Sequence, residues 1–101
     1  MPYTLSYFKD VKLDVKDAKV WYKKQQVGLE NRFADSIKNA LVRLQQNPFV
    51  FAVRYKNIRI AHPKVFPYSI HFFVDDDKQQ IVIIAIVHNK RKPAVAKKRI
   101  R

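Results

Sequence analysis

The stretch "VGLENRFADSIKNALVRLQQNP", residues 27–48, decides the fold. Its apolar residues recur every three or four positions, the spacing that places side chains on one face of an α-helix. The stripe consists of Leu29, Phe33, Ile37, Ala40, Leu41 and Leu44. Gly28 suits a turn that needs a positive φ, and Asn47-Pro48 ends the helical pattern. We therefore predict a helix over residues 29–46.

A second helix is predicted immediately upstream. Between residues 10 and 26 the apolar side chains are again three or four apart, and early aspartates complement the helix dipole. The two helices, joined at the only glycine of the chain, are expected to pack as a hairpin. Residues 3–8, "YTLSYF", are aromatic and β-prone, so they are predicted to form a first strand.

After Pro48 the hydrophobic period drops to two. Residues 53–55 and 58–62 are short strand candidates around a tight turn at Lys56-Asn57, and residues 65–74 and 81–87 are longer ones. The pattern predicts an α+β fold with an N-terminal strand, a two-helix hairpin and a four-stranded antiparallel stretch that completes one twisted sheet.

The period of two also assigns faces to the strands. The side chains expected to point at the helices are Ile58, Ile60, Tyr68, Ile70, Phe72 and Val74. Arg59, Ser69 and His71 are then expected on the opposite, open face. The strand at residues 81–87 is apolar throughout, which is typical of a strand covered on both sides.

Charge points to the class of partner. The 101 residues suit one domain, and 21 Lys and Arg against 8 Asp and Glu give a net charge of +13. Such a surplus favours a polyanionic or acidic partner, and taken alone it allows a simple basic nucleic-acid-binding domain. Beyond residue 35 the only acids are Asp75, Asp76 and Asp77. The later part of the chain is therefore where we expect an anion to dock.

Several site classes are not expected. The chain has no cysteine, and its three histidines lack the spacing of metal ligands, so neither a metal site nor a cofactor is predicted. No segment is apolar enough for a signal peptide or a membrane span, so a cytoplasmic protein is expected.

Two stretches together resemble the RelE/ParE superfamily of bacterial type II toxins. They are "WYKKQQVGLENRFADSIKNALVRLQQNP" and "YKNIRIAHPKVFPYSIHFFVDDDKQQIVIIAIVHNKRKP". The resemblance covers about residues 3–93 and implies a single toxin domain over residues 1–93, with a basic tail at residues 94–101. It also implies a growth-inhibiting toxin that a cognate antitoxin wraps and neutralises.

The superfamily has two mechanistic branches. RelE-like members cut mRNA in the translating ribosome, whereas ParE-like members inhibit DNA gyrase. Arg91 matches the late arginine of the nucleases, but Ser69 stands where they have an arginine, and residues 94–101 contain no Tyr, Phe or His. The resemblance thus favours a gyrase inhibitor, with a ribosome-dependent endoribonuclease as the alternative, and leaves open whether the protein is an enzyme.

Candidate site residues follow from these hypotheses. Cleavage of RNA by its own 2′-hydroxyl needs a base, an acid and a cation, which His and Arg can supply. If the protein is a nuclease, the catalytic candidates are His71, His88 and Arg91, whereas His62 beside Pro63 is interpreted as a turn residue. The candidates for binding the target or a nucleic acid are Arg59, Lys90, Arg91, Lys92, Lys97, Lys98 and Arg99.

Overall fold

The computed structural model describes residues 3–90 and 94–100. In chain order the elements are β1 (Thr4–Tyr7), α1 (Val11–Gln25), α2 (Leu29–Gln46), β2 (Val53–Tyr55), β3 (Ile58–Ala61), β4 (Tyr68–Asp75), β5 (Gln80–His88) and α3 (Val95–Arg99). A single 3₁₀ turn at Pro48–Val50 joins α2 to β2. The order confirms the predicted α+β fold, and the ends of α1 and α2 lie within one residue of the predicted ones.

The two long helices form the predicted hairpin. Gly28 has a φ of +96°, a left-handed conformation that side chains disfavour, and it directly precedes α2. Its backbone N–H donates to the Glu30 carboxylate at 2.7 Å, which satisfies one of the free amides at the start of the helix. Within the described residues, none of the helices has the length and apolar character needed to span a bilayer.

The five strands form one sheet in the order β1-β5-β4-β3-β2. Strands β2 to β5 pair antiparallel in sequence order, as predicted. Strand β1 instead pairs parallel with β5, with Leu5 opposite Ile81 and Tyr7 opposite Ile83. The parallel pairing is possible because the hairpin carries the chain across the sheet between β1 and β2.

The main core lies between the hairpin and the sheet. Phe33 is fully buried, and its ring lies 5.2 Å from that of Tyr22, 5.3 Å from Phe66 and 4.9 Å from Tyr68. The Tyr22 ring is stacked on Phe33, and the Phe66 and Tyr68 rings meet it edge to face; such aromatic pairs stabilise beyond the area that they bury. Of the apolar side chains predicted on the facing sides of α2 and β4, Phe33, Ile37, Ile70 and Phe72 are buried and Leu41 packs half-buried against them.

A second, smaller core lies on the opposite face of the sheet. Helix α3 packs there, with Ala96 fully buried against side chains of β3 and β5. The apolar strand β5 is thus covered on both faces, as its sequence predicts. Residues 95–99, which belong to the predicted basic tail, form this short helix.

The faces predicted for β3 were wrong. Arg59 pairs with Phe72 and Ala61 with Ile70, so these residues are on the helix side, whereas Ile58 is buried in the second core. The prediction assumed that only one face is covered, so it turned both isoleucines toward α1 and α2. The assignment of β4 was right: Tyr68, Ile70, Phe72 and Val74 belong to the helix-side core.

Candidate functional site

The two histidines proposed for catalysis lie on different faces of the sheet. His71 pairs with Ala85, whose side chain belongs to the second core, whereas His88 pairs with Tyr68 of the helix-side core. Arg91 and Lys92 lie outside the described residues. The sheet therefore separates the two imidazoles, and the structure does not bring these two candidate residues together.

His71 is the centre of a polar cluster on the face that α3 covers. Its Nδ1 lies 2.9 Å from the Tyr55 hydroxyl, and the ammonium of Lys97 lies 5.4 Å from the centre of the Tyr55 ring. Burial, and to a lesser extent the nearby charges of His62, Arg54 and Lys97, together lower the pKa of His71 from 6.5 to about 4. The imidazole is therefore neutral at pH 7 in cationic surroundings.

Three further hydrogen-bond contacts near this cluster connect neighbouring segments of the backbone. His62 Nδ1 lies 3.0 Å from the Tyr68 carbonyl, and the Ser69 hydroxyl donates to the side-chain oxygen of Asn89. The Asn89 backbone N–H in turn donates to the Pro67 carbonyl at 2.9 Å. These contacts fasten the segment after β5 to the start of β4, which supports the interpretation of His62 as a turn residue.

His88 has a structural contact of its own. Its Nδ1 accepts the backbone N–H of Lys90 at 3.1 Å, and its ring meets the Tyr68 ring edge to face at 5.3 Å. A ring nitrogen that accepts a backbone amide must be unprotonated, which fixes the tautomer. His88 thus orients the chain where it leaves the sheet and enters the basic segment.

Some of the predicted basic residues are exposed, and others bind groups within the protein. Lys90, Lys97 and Lys98 are exposed. Arg59 donates to the Phe51 carbonyl at 2.5 Å and lies over the Phe49 ring, so its expected place on the open face was wrong. Arg99 forms an ion pair with Asp14 at 2.6 Å. Arg59 and Arg99 therefore have structural partners, whereas Lys90 and Lys98 are exposed and Lys97 lies over the Tyr55 ring.

Sequence reasoning missed a groove on the helical hairpin. The groove has a volume of about 1050 Å³, and its floor is apolar, with Val15, Val20, Ala34, Ile37 and Leu41. Its rim carries six lysines, namely Lys9, Lys12, Lys16, Lys19, Lys23 and Lys38. One acid, Glu30, also lines it. Five of the lysines are spaced three or four residues apart, a signal that was visible in the sequence.

Comparison with known proteins identifies the family of this chain. Residues 5–93 match the family described as the ParE toxin of the type II toxin–antitoxin system, parDE. The chain belongs to the ParE toxin family. No curated protein matches it.

Solved structures of toxin–antitoxin systems share the fold. A chain of the chromosomal ParDE toxin–antitoxin system from P. aeruginosa is similar, with a TM-score of 0.73 and 19% identity over 85% of this chain and 95% of that chain. The intact E. coli RelBE complex contains a chain with a TM-score of 0.65 and 15% identity, over 88% and 99%. For the RelBE2 complex of Mycobacterium tuberculosis the values are 0.61 and 18%, over 87% and 92%.

Proposed function

We propose that the protein is a growth-inhibiting toxin that a cognate antitoxin neutralises and that it acts on DNA gyrase without a catalytic residue of its own. The observation that carries this proposal is the separation of His71 and His88 by the sheet. Membership in the ParE toxin family supports the same reading. The protein then acts by binding, through its exposed C-terminal lysines and Arg91.

The chemistry of His71 argues against nuclease activity. A general base works best when its pKa lies near the operating pH, and that of His71 is lowered to about 4. The residue is only 7% exposed, so a ribose hydroxyl would reach its imidazole only if the neighbouring side chains moved. His71 is therefore both a weak and a poorly accessible proton acceptor.

The lysine-rimmed groove is proposed as the antitoxin surface. Its apolar floor and six rim lysines suit an amphipathic helix with acidic flanks, because such a helix buries its apolar face and neutralises the rim. Lys16→Glu should weaken binding of the antitoxin that is encoded beside the toxin gene. Lys24→Glu makes the same charge change on the same helix but outside the groove, so it should have little effect on this binding. Equal weakening by the two variants would remove the groove from the proposal.

A specific observation also favours the ribonuclease alternative. Tyr55, His71 and Lys97 lie together, and no acidic residue is among the groups that shift the pKa of His71. Such a cationic cluster could hold an RNA phosphate. The third reading, a simple basic nucleic-acid-binding domain, rests only on the net charge of +13.

Inducible expression separates the three readings. Primer extension on cellular mRNA is run beside a supercoiling assay with purified gyrase. Loss of supercoiling or accumulation of cleaved DNA, with intact mRNA, supports the gyrase proposal. Cuts in phase with codons would instead establish the ribonuclease. Normal growth, together with intact mRNA and unimpaired supercoiling, would exclude both toxin activities and leave a simple nucleic-acid-binding domain as the remaining proposal.

A further inference from the structure

The edge of β5 loses its strand partner halfway along. Strand β1 ends at Tyr7, and the last backbone bond of that ladder runs from the Phe8 N–H to the Ile83 carbonyl at 2.9 Å. Strand β5 continues to His88. A carbonyl and an amide of its second half, those of Ile84 and Ile86, therefore need partners other than a strand, because unsatisfied backbone groups are costly.

Two side chains from different helices supply these partners. Arg99 of α3 donates to the Ile84 carbonyl at 3.0 Å, and Asp14 of α1 accepts the Ile86 N–H at 3.0 Å. The two side chains also bind each other through two N–H···O bonds of 2.6 and 2.7 Å. The pair thus continues the ladder where β1 stops and links the helices of the two faces around the sheet edge.

This pair also fixes the place of α3. The helix has only five residues, and its other main anchor is Ala96 in the second core. From α3, Lys97 reaches over the Tyr55 ring beside His71, and Lys98 is exposed. The position of these two lysines therefore depends on a contact that neither of them makes.

We infer that Asp14 and Arg99 are positioning residues for the basic surface formed by Lys97 and Lys98 of α3. The inference rests on the proposed function, in which this surface engages the target. It changes the role expected for Arg99, which then acts by holding α3 and not by touching the target. It also gives a role to Asp14, an acid that opposes the net charge of the protein.

The sign of the charge change distinguishes positioning from diffuse attraction. Asp14→Asn removes one negative charge and keeps an oxygen for the Ile86 amide. If only net charge mattered, this variant would bind an anionic or acidic target more tightly than the parent. If Asp14 positions α3, it binds more weakly, as does Arg99→Ala. Asp17→Asn is the matched control, because Asp17 is exposed on the same helix and the charge change is identical.

The first arm of the test needs no target. The titration of His71 is followed by NMR in the parent and the three variants, with thermal melts to confirm folding. Loosening α3 uncovers His71 and removes Lys97, so its titration should move toward the ordinary range in Asp14→Asn and Arg99→Ala, and stay unchanged in Asp17→Asn. Arg99→Lys replaces Arg99→Ala in this test if the alanine variant does not fold. The lysine keeps the charge but not the bidentate contact, so the His71 titration should shift by an intermediate amount.

The second arm measures gyrase inhibition. Asp14→Asn and Arg99→Ala should need about tenfold more protein for half-inhibition, and Asp17→Asn less than about twofold more. Stronger inhibition by Asp14→Asn, or an unchanged His71 titration in both folded variants, would overturn the positioning role. If the parent itself does not inhibit gyrase, the proposed target is wrong, and the His71 titration decides the role of the pair alone.

Discussion

Protonation of His71 should destabilise the fold at acidic pH. Burial and the nearby positive charges lower the pKa of this imidazole from 6.5 to about 4, whereas in the unfolded chain it takes up a proton near its ordinary pKa. Between these two values the unfolded state binds more protons than the folded state. The contribution of neutral His71 to the free energy of unfolding is therefore fully present above about pH 6.5, and it is lost as the pH falls toward the pKa of the folded state.

The expected loss follows from the size of this shift. One unit of pKa difference between folded and unfolded states corresponds to about 1.4 kcal/mol. Between about pH 7 and about pH 4.5, with allowance for solvent near the ring, His71 should account for about 2 kcal/mol. A domain of this size has a free energy of unfolding of about 5–15 kcal/mol, so the loss is measurable.

Urea unfolding of the parent and of His71→Gln at both pH values isolates this contribution. Other groups titrate in both proteins and cancel in the comparison. The parent should lose about 2 kcal/mol more than the variant on acidification. If the two lose the same free energy, His71 is not held neutral in the fold, and the reasoning that makes it too weak a base for RNA cleavage is refuted.

Three further outcomes are expected. Phe33→Ala should cost about 3–5 kcal/mol in urea unfolding because the ring is fully buried among aromatic rings, whereas Phe49→Ala, at 49% exposed, should cost less than about 1 kcal/mol. Stopped-flow association of the antitoxin should slow at high salt in the parent and depend less on salt in Lys16→Glu; a rate independent of salt in the parent would exclude the lysine rim as the docking surface. Arg91→Ala should weaken growth arrest at matched protein level with little change in melting temperature, and full arrest would move the target site elsewhere.

The hairpin could be predicted because its signal is local. The stripe from Leu29 to Leu44 repeats over several turns, and Gly28 and Pro48 mark its ends. Local periodicity also located strands β2 to β5 and gave the faces of β4, where one face alternates cleanly. These features depend on residues close in sequence, so the rest of the chain was not needed to find them.

The faces of β3 and the role of α3 depend on each other across the fold. Ile58 points away from the hairpin because α3 covers that side, and α3 is ordered there because β5 offers an apolar surface to Ala96. The register also shifts between His71 and Phe72, where Ile84 and Ala85 both join the second core. In an all-apolar strand such a bulge leaves no trace in the sequence pattern.

Helix α1 carries a stripe of lysines and a stripe of aspartates, and a count of the charges in each segment of the sequence does not separate them. On one side of the helix, Lys12, Lys16, Lys19 and Lys23 line the groove. On another side, Asp14 and Asp17 line a cleft beside the end of β5. The opposite charges partly cancel in a sum over the segment, so the sequence suggested that only the later part of the chain is strongly basic. Helical spacing of each sign separately would have shown a basic edge and an acidic edge on one helix.

The positions of the two basic surfaces bear on how neutralisation could work. The lysine-rimmed groove lies on the hairpin, on one side of the sheet, and Lys97 lies on the other side with α3. A short helix in the groove therefore cannot also cover Lys97, and an antitoxin that blocks the proposed target surface directly must extend around the sheet edge. Since each surface has its own lysines, variants of Lys16 and of Lys97 should separate antitoxin binding from target engagement.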